Sequence, residues 1–416
     1  MVNESSSENS GQNQSIHLVV VELHHHSDLI DNLIQVLRRE RFRMTLITVN
    51  SVYENIGHDW SQTGDWLQAF CQEDHENVAQ YIERMGPIFE SADLLYFNTV
   101  RHFWTELNAI PRSCPAILRV HNVHTDLAPA SHFDRPLLMF PAILSHLIRK
   151  VWIGGEWRKR KQFLARIDYF MFPNQAITDY VCRHKWVDET RILPPIVPFA
   201  FLGEPRTTKK TNQHAGVTVA ITGKVTNSKK DYDLVFQALK RCLHRLDSPA
   251  RLILLGKAGD KQAARIVADF HSLESDKFSL DYSTSYISPE EFEQKIAEVD
   301  FLLAPIRVQT HFRKYREIYG KSKMSGIEND ILLYRKPSLV TSIYGIQGEI
   351  DKVVDYFEPT PESLAASLTS WVNNKKYRDL QLHFDEMNHY RSESVAENFR
   401  QLCEKLILSA PLEAER

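Results

Sequence analysis

Short apolar runs alternate along this chain with longer stretches whose apolar residues recur every three or four positions. This alternation constrains the fold more than any other feature, because parallel strands covered by helices produce it. Residues 16–22 (IHLVVVE) read as a buried strand. Residues 28–40 follow as a helix with Leu29, Ile30, Leu33, Ile34 and Leu37 on one face. Residues 44–49, 94–98, 116–120, 167–172 and 190–193 continue the strand series. A second series begins at 217–222 (VTVAIT), with a helix over 233–246 and strands at 251–255, 279–282, 301–304 and 338–341. Such near-continuous apolar strands belong to sheets covered on both faces. The pattern predicts an α/β protein of two tandem doubly wound, Rossmann-like domains facing a cleft. It assigns 1–15 to a disordered tail, 16–201 to the first domain, 202–215 to a polar linker, 216–376 to the second domain and 377–416 to C-terminal helices.

Composition removes several function classes. Among 416 residues, 50 basic side chains face 53 acidic ones, a net charge of -3 that argues against a surface built for nucleic acid. The five cysteines are scattered, with no C-x-x-C pair, so neither a disulfide framework nor a cysteine zinc site is suggested. The longest apolar run, 137–148, is broken by Pro141, Ser145 and His146, short of the roughly 18 residues of a membrane span. The polar first fifteen residues lack the basic start and apolar stretch of a signal peptide. A soluble, cytoplasmic protein is the expectation.

Two blocks in the second half point to chemistry. Gly223 and Lys224 end a strand, and Lys230 precedes a helix start at Asp231-Tyr232-Asp233-Leu234. A glycine at a strand end, lysines and a helix N-terminus suit a diphosphate, although lysines before a helix are also ordinary solvated residues. The second block runs from Glu317, Tyr319 and Gly320 through Ser325, Gly326 and Asp330 to Pro337, which introduces a strand. Glycines let a backbone approach a ligand closely, and acids facing such a loop bind sugar hydroxyls.

These residues resemble the retaining GT-B glycosyltransferases, in particular the family-4-like group. The resemblance implies that Gly223, Lys224, Lys230, Ser325 and Gly326 hold the donor diphosphate. It implies that Asp330, seven residues before Pro337, binds the donor ribose or sugar and that Glu317 matches the family's first acid. Residues 173–181 look like the family's helix start before the interdomain crossing. The C-terminal helices are implied to cross back to the first domain. Three departures stand out: Lys for Arg at 224, Asp for Glu at 330, and two acids thirteen positions apart in place of eight.

Three histidine-bearing segments follow the first, third and fourth strands of the first half: Glu22 to Asp28 with His24-His25-His26, Asn98 to His102 with Arg101-His102, and Arg119 to Asp126 with His121-Asn122-Val123-His124. By the same resemblance His121 contacts the donor sugar, with His124 in reserve. His24, His26, Arg101, His102 and His124 are the candidate acceptor cleft. No carboxylate or cysteine spacing completes a metal site around His24 and His26. The one D-x-D, Asp231 with Asp233, reads as helix capping. A metal-independent reaction without a cofactor is expected. Arg149 to Arg166, basic with interleaved tryptophans, suits an anionic membrane surface or a solvated helix face.

The resulting expectation is a retaining glycosyltransferase with His121 and Glu317 as catalytic residues. It would move a sugar from a nucleotide diphosphate sugar to a saccharide or lipid-linked glycan, with peripheral membrane contact and no nucleic-acid partner. The alternatives are a nucleotide-sugar epimerase on the same fold and a non-catalytic partner subunit.

Overall fold

The computed structural model describes residues 15–40, 42–60, 64–133, 148, 154–205, 216–312 and 314–409. Most of the expected N-terminal tail and linker, and of the stretch from Leu137 to Ile153, therefore lies outside the described residues. Two compact units emerge from the packing. One takes its described residues up to Leu118, then Gln162–Asp168 and those from Ala396 onward; the other takes 119–161 and Tyr169–Val395.

The first sheet is built from β1 (Ile16–Glu22), β2 (Phe42–Thr48), β3 (Leu67–Cys71), β4 (Leu94–Thr99), β5 (Ala116–Arg119), β6 (Tyr169–Met171) and β7 (Ile192–Leu193). Its order is β3-β2-β1-β4-β5-β6-β7. All seven residues of β1 are buried, because both faces of the sheet are covered. The helix Ser27–Leu37 covers part of one face with Leu29, Ile30, Leu33, Ile34, Val36 and Leu37. The helix Ser392–Leu408 contributes Phe399, which stacks on Phe42 and meets Tyr96 edge-on.

The second sheet comprises β8 (Val217–Thr222), β9 (Ala250–Lys257), β10 (Phe278–Ser283), β11 (Phe301–Ala304), β14 (Ser338–Thr341) and β15 (Val354–Phe357), in the order β10-β9-β8-β11-β14-β15. All its neighbours run parallel. Alternate residues feed two separate cores, as the period of two requires. Val219, Ile221, Leu252, Leu254, Phe301 and Leu303 pack on one face with Leu364, Leu368 and Trp371. Ala220, Ile253, Leu255, Leu302 and Ala304 pack on the other with Ile331 and Val340. Asp231 caps the helix Tyr232–Cys242 by accepting from the Leu234 N–H, and Thr360 caps Pro361–Asn373 in the same way.

Between β11 and β14 lies an antiparallel pair, β12 (Gln309–Phe312) and β13 (Tyr315–Ile318), which the apolar pattern does not announce. β3 and β15 also fall outside the expected series. Their sequences, LQAFC and VDYF, mix polar with apolar residues because their sites are only partly buried.

Both main sheets reverse their order of addition once. From β1 the chain adds β2 and β3 on one side, then returns to place β4 on the other. From β8 it adds β9 and β10, then returns to β11. The crevices beyond the carboxyl ends of β1/β4 and β8/β11 are therefore where doubly wound sheets receive ligands.

Candidate functional site

At the β8/β11 crevice the second unit holds a cavity of about 440 Å³, within the range of small-ligand sites. Gly223, Lys224, Lys230, Ser325, Gly326 and Asp330 all line it, with Thr222 and Tyr319. Gly223 leaves β8 at φ 83°, a left-handed conformation that other residues adopt at a cost. A Cβ on Gly256, at the end of the neighbouring β9, would stand 2.2 Å from the Gly223 carbonyl oxygen. Glycine at 256 is thus what lets the turn fold back over β9. The segment carrying Lys230 is tied to the end of β11, the Arg307 N–H donating to the Lys229 carbonyl at 2.9 Å and the Asp231 N–H to Pro305 at 2.7 Å. On the opposite wall, Ser325 and Gly326 precede the helix Ile327–Tyr334, which projects Asp330 from its first turn.

Burial draws the titration of Lys230 and Asp330 toward neutral pH. Lys230 donates from Nζ to the Thr222 carbonyl, and Thr222 Oγ1 donates to Asp330 Oδ2 at 2.5 Å. Burial lowers the Lys230 ammonium to about 8, against the pull of Asp330. Burial also raises the Asp330 carboxyl to about 6, partly offset by the Thr222 hydrogen bond and by Lys230. Lys224 is different: its side chain is 65% exposed and pairs with Asp260 at 3.1 Å. The cavity thus offers two further lysines, glycine backbone and a helix start to an anion. Among the described residues, the one acid in its lining is Asp330.

Glu317 sits elsewhere than a sugar-facing loop. It lies on β13, fully buried, and its carboxylate accepts from Thr125 N at 2.9 Å, Thr125 Oγ1 at 2.6 Å and Ser322 Oγ at 2.6 Å. Thr125 belongs to the short helix Val123–Leu127, so the acid caps a helix far away in sequence. His124, also buried, bonds Arg316 O at 2.8 Å and the Tyr180 hydroxyl at 3.0 Å, with its ring on His132. Burial pushes its imidazole down to about 4. His121 stacks on Phe199, whose other neighbour is the buried Arg119 guanidinium. Lys323 donates to Asn122 Oδ1 at 2.7 Å, so 121–125 and 317–323 are laced together, with Glu317 on His124 and Thr125.

The remaining candidates belong to the first unit, at the β1/β4 crevice. Glu22, at the end of β1, is fully buried and accepts from the N–H groups of His24 at 2.9 Å and His25 at 3.1 Å and from Asn98 Nδ2 at 2.8 Å. Burial raises its carboxyl to about 7. His24 Nε2 accepts from the Arg101 N–H at 3.1 Å, which fixes it as the unprotonated nitrogen. Its ring stacks on Phe103 and meets His102 edge-on, while the Arg101 guanidinium reaches His26 at 3.0 Å. His26 and Phe103 both hold φ above +60°, strain of the kind that collects at functional loops. His24, His26, Arg101 and His102 are thus brought together.

Glu22 and Asn98 open two of the clusters the sequence offers, without a role there, and Glu328 escaped the sequence reading as a site residue. A charge ending an otherwise apolar strand was the available signal for Glu22. Among the described residues, no group of three His, Cys, Asp or Glu side chains is placed to hold a metal ion, and no helix is long and apolar enough to cross a membrane. The basic helix Glu156–Arg166 exposes Arg158 and Lys161, whereas Arg160 is buried and donates to the Thr125 carbonyl. Arg149, Lys150 and Trp152 lie outside the described residues.

No protein-family model matches the chain, and no curated protein is similar to it in sequence. Solved structures are similar in fold along nearly its whole length. The pneumococcal O-GlcNAc transferase GtfA in complex with UDP and GlcNAc is 8% identical, with a TM-score of 0.58 over 95% of this chain and 100% of that one. HepE of Anabaena in complex with UDP and glucose is 12% identical, with a TM-score of 0.55 over 94% and 99%. A putative UDP-N-acetylglucosamine 2-epimerase from Listeria monocytogenes is 10% identical, with a TM-score of 0.52 over 95% and 98%. The shared fold is GT-B.

Proposed function

We propose that the chain is a nucleotide-sugar-dependent glycosyltransferase, with the donor diphosphate bound at the β8/β11 crevice. The observation that carries this reading is the convergence of Gly223, Lys230, Ser325, Gly326 and Asp330 on one cavity of suitable size. Transfer breaks the bond between the anomeric carbon and a phosphate oxygen and forms one to an acceptor hydroxyl oxygen, whose proton leaves with the diphosphate. Negative charge grows on the diphosphate as it departs, and Lys230 with the glycine backbone stabilises it there. Asp330 serves the ribose or sugar hydroxyls. Glu317, its oxygens engaged by Thr125 and Ser322, places the segment carrying His121 and stays off the sugar. Retention, metal independence, an acceptor among saccharides and lipid-linked glycans at His24, His26, Arg101 and His102, and peripheral contact of Arg149 to Arg166 with an anionic membrane in the cytoplasm are parts of the same proposal.

Titration calorimetry with UDP, GDP and ADP tests it. One of them should bind, and Lys230→Ala should weaken that binding by about 10- to 100-fold, the loss of one charge-assisted hydrogen bond. Affinity should fall above about pH 8, where Lys230 loses its proton in the free protein. If none of the three nucleotides binds, the reading is lost. Epimerisation is the second reading, favoured by the fold likeness to the Listeria protein; formation of an epimer from a nucleotide sugar alone, with no acceptor present, would establish it.

A further inference from the structure

One buried acid near the nucleotide cavity has no part in that chemistry. Glu328 lies in the first turn of the helix Ile327–Tyr334, is 4% exposed and points away from the cavity its neighbours line. Its hydrogen-bond partners among the described residues are neutral: the Tyr344 hydroxyl on Oε1, and Asn174 Nδ2 at 3.2 and 3.0 Å from the two oxygens. Tyr344 is itself fully buried, in the turn after β14, and its hydroxyl oxygen accepts the Ser325 N–H at 3.0 Å. At the other end Asn174 Oδ1 accepts from the Ile177 N–H at 3.1 Å and so caps the helix Gln175–His184. A continuous polar chain therefore runs from a helix cap, through a carboxylate and a phenol, to the backbone of the cavity wall.

For stability alone this is a poor arrangement. A carboxylate buried among neutral groups, here Tyr344, Tyr356, Tyr390 and Asn174, costs more than a well-packed apolar side chain of the same size. What the chain achieves is orientation. With the Ser325 N–H held by Tyr344, the turn is fixed, and the Gly326 N–H is left without a protein acceptor among the described residues, at the cavity wall. A Cβ on Gly326 would meet nothing within 4 Å, so the space beyond that backbone is open.

We infer that Glu328 and Tyr344 are a positioning pair, anchored by Asn174, that sets the Ser325–Gly326 turn to bind the terminal phosphate of a nucleoside diphosphate. The inference rests on the proposed function and identifies what holds that wall in place. Neither side chain touches the ligand; both act through the turn.

The test compares a nucleoside diphosphate with its monophosphate, using UDP and UMP or whichever pair of the uridine, guanosine and adenosine series binds. Tyr344→Phe removes one hydroxyl and keeps the ring. It should weaken diphosphate binding about tenfold and monophosphate binding less than about threefold, the worth of one oriented hydrogen bond. Glu328→Gln keeps an oxygen that accepts from Tyr344 but sets an NH2 against the Asn174 NH2, so it should show a smaller diphosphate-selective loss, about threefold. Should Tyr344→Phe fail to fold, Asn174→Ser replaces it. Serine keeps a capping hydroxyl but is too short to reach Glu328, and the diphosphate-selective loss should persist. Equal losses for both nucleotides, or unchanged diphosphate binding by a folded variant, would overturn the pair's role and leave the proposed function standing. Wild-type protein that binds none of the diphosphates overturns the proposed function itself.

Discussion

The two crevices of this molecule are built on the same topology and furnished with different residues. At β1/β4 the chain's own groups meet: Glu22 gathers two backbone N–H groups and Asn98, and His24 is packed between Phe103 and His102. At β8/β11 a glycine turn and short side chains leave about 440 Å³ open, with Lys230 and Asp330 at its edge. The difference teaches that a switch point is only an opportunity. Whether it becomes a pocket depends on the residues that follow the two strands. At β1/β4 long polar side chains bond one another, whereas at β8/β11 Gly223, Ser325 and Gly326 leave open space.

Substitutions that attack each crevice on its own terms can break or sharpen that contrast. The largest effect is expected at Glu22. Glu22→Ala strips the acceptor from the His24 and His25 N–H groups and from Asn98, and should cost about 2–4 kcal/mol of stability, read by denaturant unfolding. A cost below about 0.5 kcal/mol, the level of ordinary surface changes, would show the first crevice is not held by its own polar groups. The carboxyl titrates near 7 in the folded chain against an ordinary 4.5, so the native state keeps a proton that the unfolded chain has lost. Its contribution is complete below pH 4.5 and is lost as pH rises through 7. Glu22→Gln should flatten that decline, leaving the share due to the other carboxyls that burial raises, Asp31, Glu317, Glu328 and Asp330.

Next comes Gly326→Ala. Its φ of -62° suits any residue, and the new methyl meets nothing within 4 Å, so stability should change by less than about 1 kcal/mol. The methyl enters the space a phosphate would use, and nucleoside diphosphate affinity should drop about tenfold in calorimetry. Undiminished affinity would mean the open wall is not a binding wall. The smallest effect belongs to Lys224→Ala. This ammonium is mostly exposed and already paired with Asp260, so a loss of no more than about threefold is expected, well short of Lys230→Ala. A loss matching Lys230→Ala would move the centre of the diphosphate site outward.

The sheets were legible because most of their strands are buried on both faces. β1, β8, β11 and β14 coincide with the apolar runs, and the glycine and lysines beside β8 are local signals. What was not legible is set by distance and burial. Glu317 stands in a block that looks like a sugar-binding loop, yet its partner Thr125 is 192 residues away, and nothing local distinguishes a capping acid from a ligand-binding one. β12 and β13 pair with each other outside the main sheets and carry no continuous apolar run. Glu328 and Asp330 are two residues apart on one helix; only packing decides that the first is buried behind the cavity wall and the second faces the cavity.

The long-range cap by Glu317 bears on how the chain matures during synthesis. The helix Val123–Leu127 is short and unstable by itself, and its capping acid emerges almost two hundred residues later. The first unit waits longer still, since Phe399 and Arg400 pack on Phe42 and Glu40. The first unit cannot be finished until the ribosome has made the whole of the second. Completion of both is deferred to the last stretch of translation, and chains truncated before residue 390 should leave the first unit open along the surface that Phe399 covers.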